Sequence, residues 1–410
     1  MTSIKSSKSR LETAWRCFWL RRISSKFSAS VTVSWSCTKA KSSVICAATS
    51  FPNTTLPCSQ RAGSWSLMST HTSRTASART IDPPGPRRRL AGRIYEGTRV
   101  YIGIGVMLVA LVGYLAITQP TFATPQNLIA ILETNSVLLL VAVGLTFVLL
   151  TGGFDLSVGG MLALSGILVA KLIESGVNFY VAAILVIIAA AILGGVLNGL
   201  LIGKLGLSFF VVTLGTMSLF RGAGQVITEG HGLSLYQVEA SRIIGSGRFL
   251  GVPWLVIIAL SVLVLAILVT RYTGFGRMLY AVGGNAEAAR LSGIKVWLVR
   301  AVAYAICAGL CGLAGVLESS RLASASPTAA TGMELVAAAA VLLGGTSFAG
   351  GAGSMVGTLL GALFLGIISN GMTISQISSF WQSVVTGSVL LAAVLLDWFR
   401  MRRDKRMSGT

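Results

Sequence analysis

One apolar segment indicates the fold class most clearly: Leu128-Ile-Ala-Ile-Leu-Glu-Thr-Asn-Ser-Val-Leu-Leu-Leu-Val-Ala-Val-Gly-Leu-Thr-Phe-Val-Leu-Leu150, in which Glu133 is the only charged residue. A helix needs about 20 mostly apolar residues to cross the hydrocarbon core of a bilayer, and this stretch is long enough. The whole chain has the same character, since 53% of its 410 residues are hydrophobic and 11% are charged. A typical soluble domain carries about 25% charged residues, so we expect most of this chain to lie in a membrane.

Similar apolar stretches lie on both sides of this one, separated by short polar breaks. They predict an all-α polytopic membrane protein with about ten transmembrane helices, near residues 100–118, 128–150, 157–174, 179–203, 208–228, 252–270, 299–319, 333–348, 353–371 and 380–398. The membrane domain then covers residues 99–399, between a basic tail at 68–98 and another at 400–410. The glycine-rich break from Gly344 to Gly353 is interpreted either as a loop or as an unwound segment within the membrane.

Lys and Arg residues in the short loops predict the orientation, because they accumulate on the cytoplasmic side of a membrane. They concentrate at 87–93, in the loop 271–300 and at 400–406, which places both termini in the cytoplasm. The net charge of +20 does not indicate a nucleic-acid partner. Residues 1–95 hold sixteen Lys and Arg against two acids, and the other 315 residues contribute only +6.

Residues 1–67 form a leader that differs from the rest of the chain. No Asp or Glu occurs from 13 to 81, and the segment lacks the apolar stretch and cleavage site of a secretory signal. One interpretation is a transit peptide, which is rich in Arg and Ser and poor in acids. The other, which we prefer, is that Met68 is the true start and that residues 1–67 are non-native upstream sequence or disordered.

Catalytic signatures are missing from the sequence. The two histidines, His71 and His231, cannot form a zinc-protease motif, and no Gly-x-Ser-x-Gly elbow occurs. Gly199–Lys204 is one residue short of a phosphate loop and lacks the Ser or Thr that would hold magnesium. We therefore expect no enzyme activity, no metal and no bound cofactor, and the energy for transport must come from a partner or from an ion gradient.

The loop after the sixth span, Arg271–Lys295, is the longest and most charged inner loop. Its second half predicts a short helix with Asn285 as the N-cap, Glu287 in the first turn, Arg290 near the end and Gly293 just beyond it. The residues alone leave two interpretations open. The helix docks into another protein, or it lies on lipid headgroups as a connector.

Four segments of the chain resemble the permeases of ribose-type ABC importers. They are Gly152-Gly-Phe-Asp-Leu-Ser-Val-Gly159; Ser208-Phe-Phe-Val-Val-Thr-Leu-Gly-Thr-Met217 with Phe220-Arg-Gly222; the loop 276–294; and Ser324-Ala-Ser-Pro-Thr328 with Gly344-Gly-Thr-Ser-Phe-Ala-Gly-Gly351 and Asn370-Gly371. The resemblance covers roughly residues 95–400. Two positions depart from the family pattern, since Ser208 replaces a proline and Ala352 stands where a basic residue is common.

The resemblance implies the permease subunit of an importer for a monosaccharide-like solute in a bacterial inner membrane. Its partners would be a cytoplasmic ABC ATPase, which binds ATP and magnesium, an extracytoplasmic solute-binding protein and a second permease copy in a homodimer. The docking surface for the ATPase would comprise Arg277, Gly283, Gly284, Asn285, Glu287, Ala288, Ala289, Arg290 and Gly293. The alternatives are a secondary transporter that works alone, and a membrane-embedded enzyme.

Polar residues within the spans are candidates for the translocation path, because such residues are costly in a membrane and often functional. The candidates are Asn135, Asp155, Ser157, Asn198, Arg221 and Asn370. Asp155 or Ser157 can also cap the helix that follows, either in a cytoplasmic hairpin or in a broken helix that faces the solute path. Glu334 and three other ionisable residues lie near outer span ends and are interpreted as solvated boundary positions.

Overall fold

The structure is a computed structural model that describes residues 35–40, 43–48 and 86–407. The chain divides into two units, Met1–Ile81 and Asp82–Thr410. In the first unit, β1 (Trp35–Ala40) and β2 (Ser43–Ala48) form an antiparallel hairpin with Trp35 opposite Ala48. The interpretations of the leader otherwise concern residues outside the described ranges, and the proposed domain boundaries stay predictions.

The second unit is helical. In chain order its helices are α1 (Pro86–Thr118), α2 (Pro125–Leu150), α3 (Val158–Glu174), α4 (Phe179–Gly203), α5 (Phe209–Thr228), α6 (Glu239–Ser246), α7 (Trp254–Tyr272), α8 (Gly274–Gly284), α9 (Ala286–Leu291), α10 (Val296–Arg321), α11 (Met333–Leu343), α12 (Met355–Ile374) and α13 (Ser379–Met407). Two small antiparallel ladders lie in the loops, β3 (Leu233–Ser234) with β6 (Ser324–Ala325), and β4 (Arg248–Phe249) with β5 (Val252–Pro253).

Each of the ten predicted spans coincides with a helix. Among the described residues, six helices (α2, α4, α5, α7, α10 and α12) are long and apolar enough to cross a membrane by length and composition. Shorter apolar stretches lie in α1, α11 and α13. The prediction of an all-α polytopic membrane protein is confirmed, whereas the number of crossings and the side of the termini stay predictions.

Helix α2 lies at the centre of the bundle, with every residue from Asn135 to Leu150 buried. Helix α10 packs against α2, α3 and α4, and small residues bring its backbone close to α4. A Cβ added at Gly199 would lie 2.6 Å from the Ala301 Cα, and one at Gly203 would lie 2.7 Å from the Trp297 carbonyl oxygen. Such close approach gives membrane helices dispersion contacts, which replace the hydrophobic driving force that lipid does not supply.

Helix α11 is shorter than the predicted span 333–348, because it ends at Leu343. Gly345 follows with φ +88°, and the N–H groups of Gly345 and Thr346 bond to the carbonyls of Leu342 and Val341. This is a Schellman cap, which favours glycine at the left-handed position. At 1.5 Å per residue, 11 residues span about 16 Å, roughly half of the hydrocarbon core.

The loops meet in two groups, one at each end of the bundle. At one end, the Gly351 N–H donates to the Leu150 carbonyl at 3.1 Å, which joins the loop after α11 to the end of α2. At the other end, β3 pairs with β6, and Asn127 and Asn370 bond to each other. The first group contains loops predicted on the cytoplasmic side, and the second contains loops predicted on the outer side.

Candidate functional site: the buried polar network and the coupling segment

Residues 151–157, between α2 and α3, form a connection that is buried rather than exposed to solvent. All of them are buried except Gly152, which is half-buried, and the segment runs through the interior of the bundle. The Tyr304 hydroxyl of α10 donates to the Phe154 carbonyl at 3.1 Å and satisfies one of its backbone groups. Irregular backbone is tolerated at membrane depth where protein covers it, so this segment fits a broken connection between helices.

Asp155 organises this buried segment. Its Oδ1 accepts hydrogen bonds from the Ser157 N–H at 2.8 Å and from the Ser157 hydroxyl at 2.6 Å. Asp155 therefore satisfies the backbone at the start of α3. Of the two residues predicted as possible caps, Ser157 lies at the N-cap position but its side chain makes no capping bond, because its hydroxyl donates to the Asp155 carboxylate.

Asn198 of α4 closes the network from a neighbouring helix. Its Nδ2 donates to the Ser157 hydroxyl at 2.9 Å and lies 3.4 Å from both carboxylate oxygens of Asp155. Its Oδ1 accepts from the Thr216 hydroxyl of α5 at 2.8 Å. We call Asp155, Ser157, Asn198 and Thr216 the buried polar network, since none is more than 7% exposed.

A local change of helix type accompanies Asn198. Residues Gly194–Leu200 of α4 form a π-helical turn. Short π-helical turns within α-helices often occur at functional sites. The sequence analysis did not predict this turn and did not single out Thr216, although Thr216 lies within the quoted segment Ser208–Met217.

The other three path candidates lie outside this network. Asn370 and Asn127 donate to each other's side-chain oxygens, at 2.8 and 3.1 Å. Asn135 donates to the Ile131 carbonyl, and its buried Oδ1, beside Gly366, has no hydrogen-bond partner among the described residues. Arg221 of α5 donates to the Thr331 hydroxyl at 2.9 Å and to the Ala330 carbonyl at 3.3 Å.

The short helix predicted in the long inner loop is confirmed as α9. The Asn285 side chain caps it by accepting from the Ala288 N–H at 3.0 Å, and Gly293 follows the helix with φ +83°. The Arg290 guanidinium donates two hydrogen bonds to the Glu287 carboxylate, at 2.6 and 3.0 Å. The bonds from Arg290, and its charge, lower the pKa of the exposed Glu287 carboxyl below its ordinary value of 4.5.

The proposed docking residues do not all face outward. Ala289 is buried, at 5% exposure, and Gly283 is half-buried. The members that face solvent are Arg277, Gly284, Asn285, Glu287, Ala288, Arg290 and Gly293. A docking surface on this segment would therefore consist of the outer side of α8 and α9, together with the turn after α9.

Gly283 faces inward because it belongs to a contact between three pieces of backbone. A Cβ added there would overlap the Leu150 carbonyl and the Gly351 N–H. A Cβ added at Gly350 would lie 2.7 Å from the Gly152 Cα, and the φ of Gly350 is +87°. We call Gly152, Gly283, Gly350 and Gly351, with the Leu150 carbonyl, the glycine junction. It joins the end of α8 to the point where the buried segment 151–157 begins.

Asp397 of α13 holds the loop that contributes two glycines to this junction. Its Oδ2 accepts from the Phe348 N–H at 3.1 Å and from the Ser347 hydroxyl at 3.2 Å. Asp397 was not among the residues predicted from the sequence, because nothing in its local pattern distinguishes it from a charge at the end of a span. Within the ranges that the structure describes, no three His, Cys, Asp or Glu side chains are grouped so as to hold a metal ion.

Comparisons with known proteins agree with this architecture. The family described as "Branched-chain amino acid transport system / permease component" matches residues 127–394. The chain is 45% identical to the ribose import permease protein RbsC of Bacillus subtilis over 304 residues, which are 74% of this chain and 94% of that protein. It is 43% identical to RbsC of Escherichia coli K12, over 71% of this chain and 92% of that protein.

More distant relatives carry related names. The D-allose transport system permease protein AlsC of Escherichia coli K12 is 38% identical over 71% of this chain and 88% of that protein. No solved structure matches the chain. The length and identity of these matches, together with the helical bundle, show that the chain belongs to the ribose-type family of ABC transporter permeases, which are multi-pass proteins of the bacterial inner membrane.

Proposed function

We propose that this chain is the translocation subunit of an ATP-driven importer for a monosaccharide-like solute. A cytoplasmic ATPase, which binds ATP and magnesium, docks on the outer side of α8 and α9. An extracytoplasmic binding protein delivers the solute, and a second copy of the chain completes a homodimer. Two relatives are named as a ribose import permease and a D-allose transport system permease, and these names support a sugar as the solute.

The observation that carries the coupling role is the continuity from α9 to the buried polar network. α9 is short, capped and exposed, which suits an element that enters a groove of another protein. α8 ends against the backbone of Leu150 at the glycine junction, and Leu150 leads directly into the segment that holds Asp155. A displacement of α8 and α9 by the ATPase therefore acts on the segment 151–157 without an intervening flexible side chain.

The buried polar network is the best candidate for the inner part of the path. Asp155 and Ser157 belong to the irregular segment 151–157, whereas Asn198 and Thr216 belong to two helices, so a shift of that segment changes the hydrogen bonds between them. In the conformation described, these groups bond to each other and the region is closed. We propose that movement of 151–157 frees some of these groups, which then bond to the hydroxyls of the solute.

Reconstitution tests this function directly. The chain is purified together with its ATPase in a mild detergent, placed in liposomes with the binding protein, and assayed for uptake of labelled ribose and D-allose. We expect uptake that requires ATP and the ATPase. Uptake by the chain alone, driven by an ion gradient, would instead establish a secondary transporter and overturn the proposal.

The docking surface is tested by a charge reversal with a matched control. Glu287→Arg places a second positive charge beside Arg290 on the exposed side of α9, and we expect it to reduce copurification of the ATPase and ATP-driven uptake by about tenfold. Glu174→Arg breaks a similar i,i+3 pair, Lys171–Glu174 at 2.8 Å, at the opposite end of the bundle. That control is expected to keep normal ATPase binding, and equal effects of the two variants would exclude docking at α9.

A further inference from the structure

A cavity of about 380 Å³ lies between the start of α11, the end of α12 and the start of α13. Its polar lining consists of Thr331, Ser369, Gln382, Ser383 and Thr386, and every residue that lines it is uncharged. The cavity is at the end of the bundle that carries the Asn127–Asn370 pair, opposite the glycine junction. This is the end predicted to face the outside of the cell.

The Gln382 amide in this cavity is held in place by two neighbours. Its Oε1 accepts from the Ser369 hydroxyl at 3.4 Å, and its Nε2 donates to the Thr373 hydroxyl at 3.2 Å. An amide and several hydroxyls on membrane helices are costly to expose to lipid tails. These amide and hydroxyl groups of three helices line one cavity, which is therefore suited to contain polar molecules rather than lipid.

The remaining walls of the cavity are apolar, including Leu335, Leu365, Ile368 and Met372. Small-molecule sites combine such walls with a few placed polar groups, and they have volumes of about 300–1,000 Å³. A sugar has the complementary chemistry, since its hydroxyls need donors and acceptors while its C–H faces prefer an apolar surface. Uncharged hydrogen-bonding groups favour a neutral polyol over an anion or a cation.

The inner wall of the cavity connects to the rest of the path through Arg221. Thr331, which lines the cavity, accepts a hydrogen bond from Arg221 of α5, the helix that also carries Thr216 of the buried polar network. Glu334 Oε2 lies in the same region, 2.5 Å from where a Gly159 Cβ would be, and it is buried without a hydrogen-bond partner within the described part of the chain. Glu334 is half-buried overall, so it is less solvated than the boundary position that we expected from the sequence.

We propose that this cavity is an outer solute-binding site of the permease itself, which accepts a neutral polyol of monosaccharide size on its way to the buried polar network. The class of solute rests on the proposed function above. Gln382, Ser383 and Thr386 would bond to solute hydroxyls, and Leu335 and Ile368 would contact the C–H face.

A pair of identical substitutions on α13 tests the site. Ser383→Ala removes a hydroxyl that lines the cavity, whereas Ser388→Ala removes an exposed hydroxyl that bonds only to its own helix, at the Val384 carbonyl. We expect Ser383→Ala to lower ATP-driven ribose uptake at subsaturating ribose by about two- to tenfold, the loss expected from one hydrogen bond. Ser388→Ala should match the wild type, and Gln382→Leu should exceed the effect of Ser383→Ala.

Thiol protection separates solute binding from a purely structural role. Thr386→Cys is made in a chain whose four cysteines before residue 60 are replaced by serine; Cys307 and Cys311 are buried and stay in place. We expect a membrane-impermeant maleimide added from the outside to label the introduced thiol, and millimolar ribose to slow this labelling while sodium chloride does not.

Two results would overturn the site. In the first, ribose does not slow labelling and Ser383→Ala transports ribose like the wild type. If wild-type uptake is still driven by ATP, the cavity proposal then fails while the proposed function stands. In the second, the thiol is labelled only after detergent separates the subunits, which would show that a second copy of the chain fills the cavity. Loss of ATP-driven uptake in the wild type would instead refute the proposed function.

Discussion

At the end of the bundle predicted to face the cytoplasm, backbone packs directly on backbone, whereas at the opposite end polar and apolar side chains together line a cavity of about 380 Å³. Gly283 and Gly350 leave no room for a methyl group, so a movement of α8 must displace Leu150 as well. At the other end, Gln382 and Ser383 reach an open space that a solute can fill. This contrast underlies the proposed division of tasks within one subunit, in which close packing transmits motion and the outer cavity binds the solute.

The first prediction concerns the glycine junction and has the largest expected effect. Gly283→Ala places a Cβ onto the Leu150 carbonyl and the Gly351 N–H, and overpacking of this kind costs about 1–3 kcal/mol. We expect ATP-driven uptake to fall by about tenfold or more and the thermal unfolding temperature in detergent to decrease. The measurement is uptake in liposomes at equal amounts of inserted protein.

Its control is a glycine at the start of the same helix. A Cβ at Gly274 would lie 3.8 Å from an Arg277 guanidinium nitrogen, an ordinary contact distance, so Gly274→Ala is expected to keep uptake within about twofold of the wild type. If both variants transport equally well, α8 is not rigidly joined to α2, and the contrast between the two ends disappears.

The second prediction concerns Asp397, which acts on the junction indirectly. Asp397→Ala removes the acceptor for the Phe348 N–H and the Ser347 hydroxyl, so the loop after α11 loses its bonds to α13. A hydrogen bond to a charged group contributes about 1.5–3 kcal/mol, and water replaces part of this at a half-buried site. We expect uptake to fall by about three- to tenfold while the KM for the solute is unchanged, because the outer cavity is intact.

Ser347→Ala is the graded comparison for Asp397→Ala. It removes one of the two bonds and keeps the Phe348 N–H paired, so its effect should be smaller than that of Asp397→Ala. If either variant changes the KM and leaves the maximal rate unchanged, Asp397 contributes to solute binding. That result would contradict the separate roles of the two ends, coupling at one and binding at the other.

The third prediction concerns the pH dependence of α9 and has the smallest expected effect. Hydrogen bonds and charge from Arg290 lower the pKa of Glu287, so the pair stabilises α9 above pH 4.5 and this contribution is lost as the pH falls through the lowered pKa. We expect amide hydrogen exchange in α9, corrected for intrinsic rates, to show constant protection from pH 7 to 5 and reduced protection near pH 4. Glu287→Gln should lack this dependence, and a wild-type profile in that variant would exclude the pair as its cause.

The parts of the site that the sequence analysis identified are those with a local signal. The N-cap Asn285, the terminal Gly293 and the charges of Glu287 and Arg290 follow each other within nine residues, and α9 forms where this pattern places it. Asp155, Ser157 and Asn198 stood out because polar residues are rare within apolar stretches. Their grouping into one network with Thr216 depends on the packing of α3, α4 and α5, which no local pattern records.

Gly283 and Ala289 were predicted on the docking surface although both face inward, again because no local pattern records tertiary packing. Both lie in a charged, exposed loop. Gly283 is covered because Leu150 and Gly351, from distant parts of the chain, pack against it. The burial of residues 151–157 was not evident from the sequence, because it comes from neighbouring helices. Asp397 looked like an ordinary span end, since its partners Ser347 and Phe348 are about 50 residues away in the chain.

The amino-acid sequence was sufficient for the all-α membrane class, for the positions of the helices and for the capped helix α9. These depend on hydrophobic length and on interactions within a few residues, which a linear pattern contains. The tertiary structure was needed for the glycine junction, the buried polar network and the polar cavity between α11, α12 and α13. Each of these joins segments that are far apart in the chain, and their contacts exist only once the helices have packed.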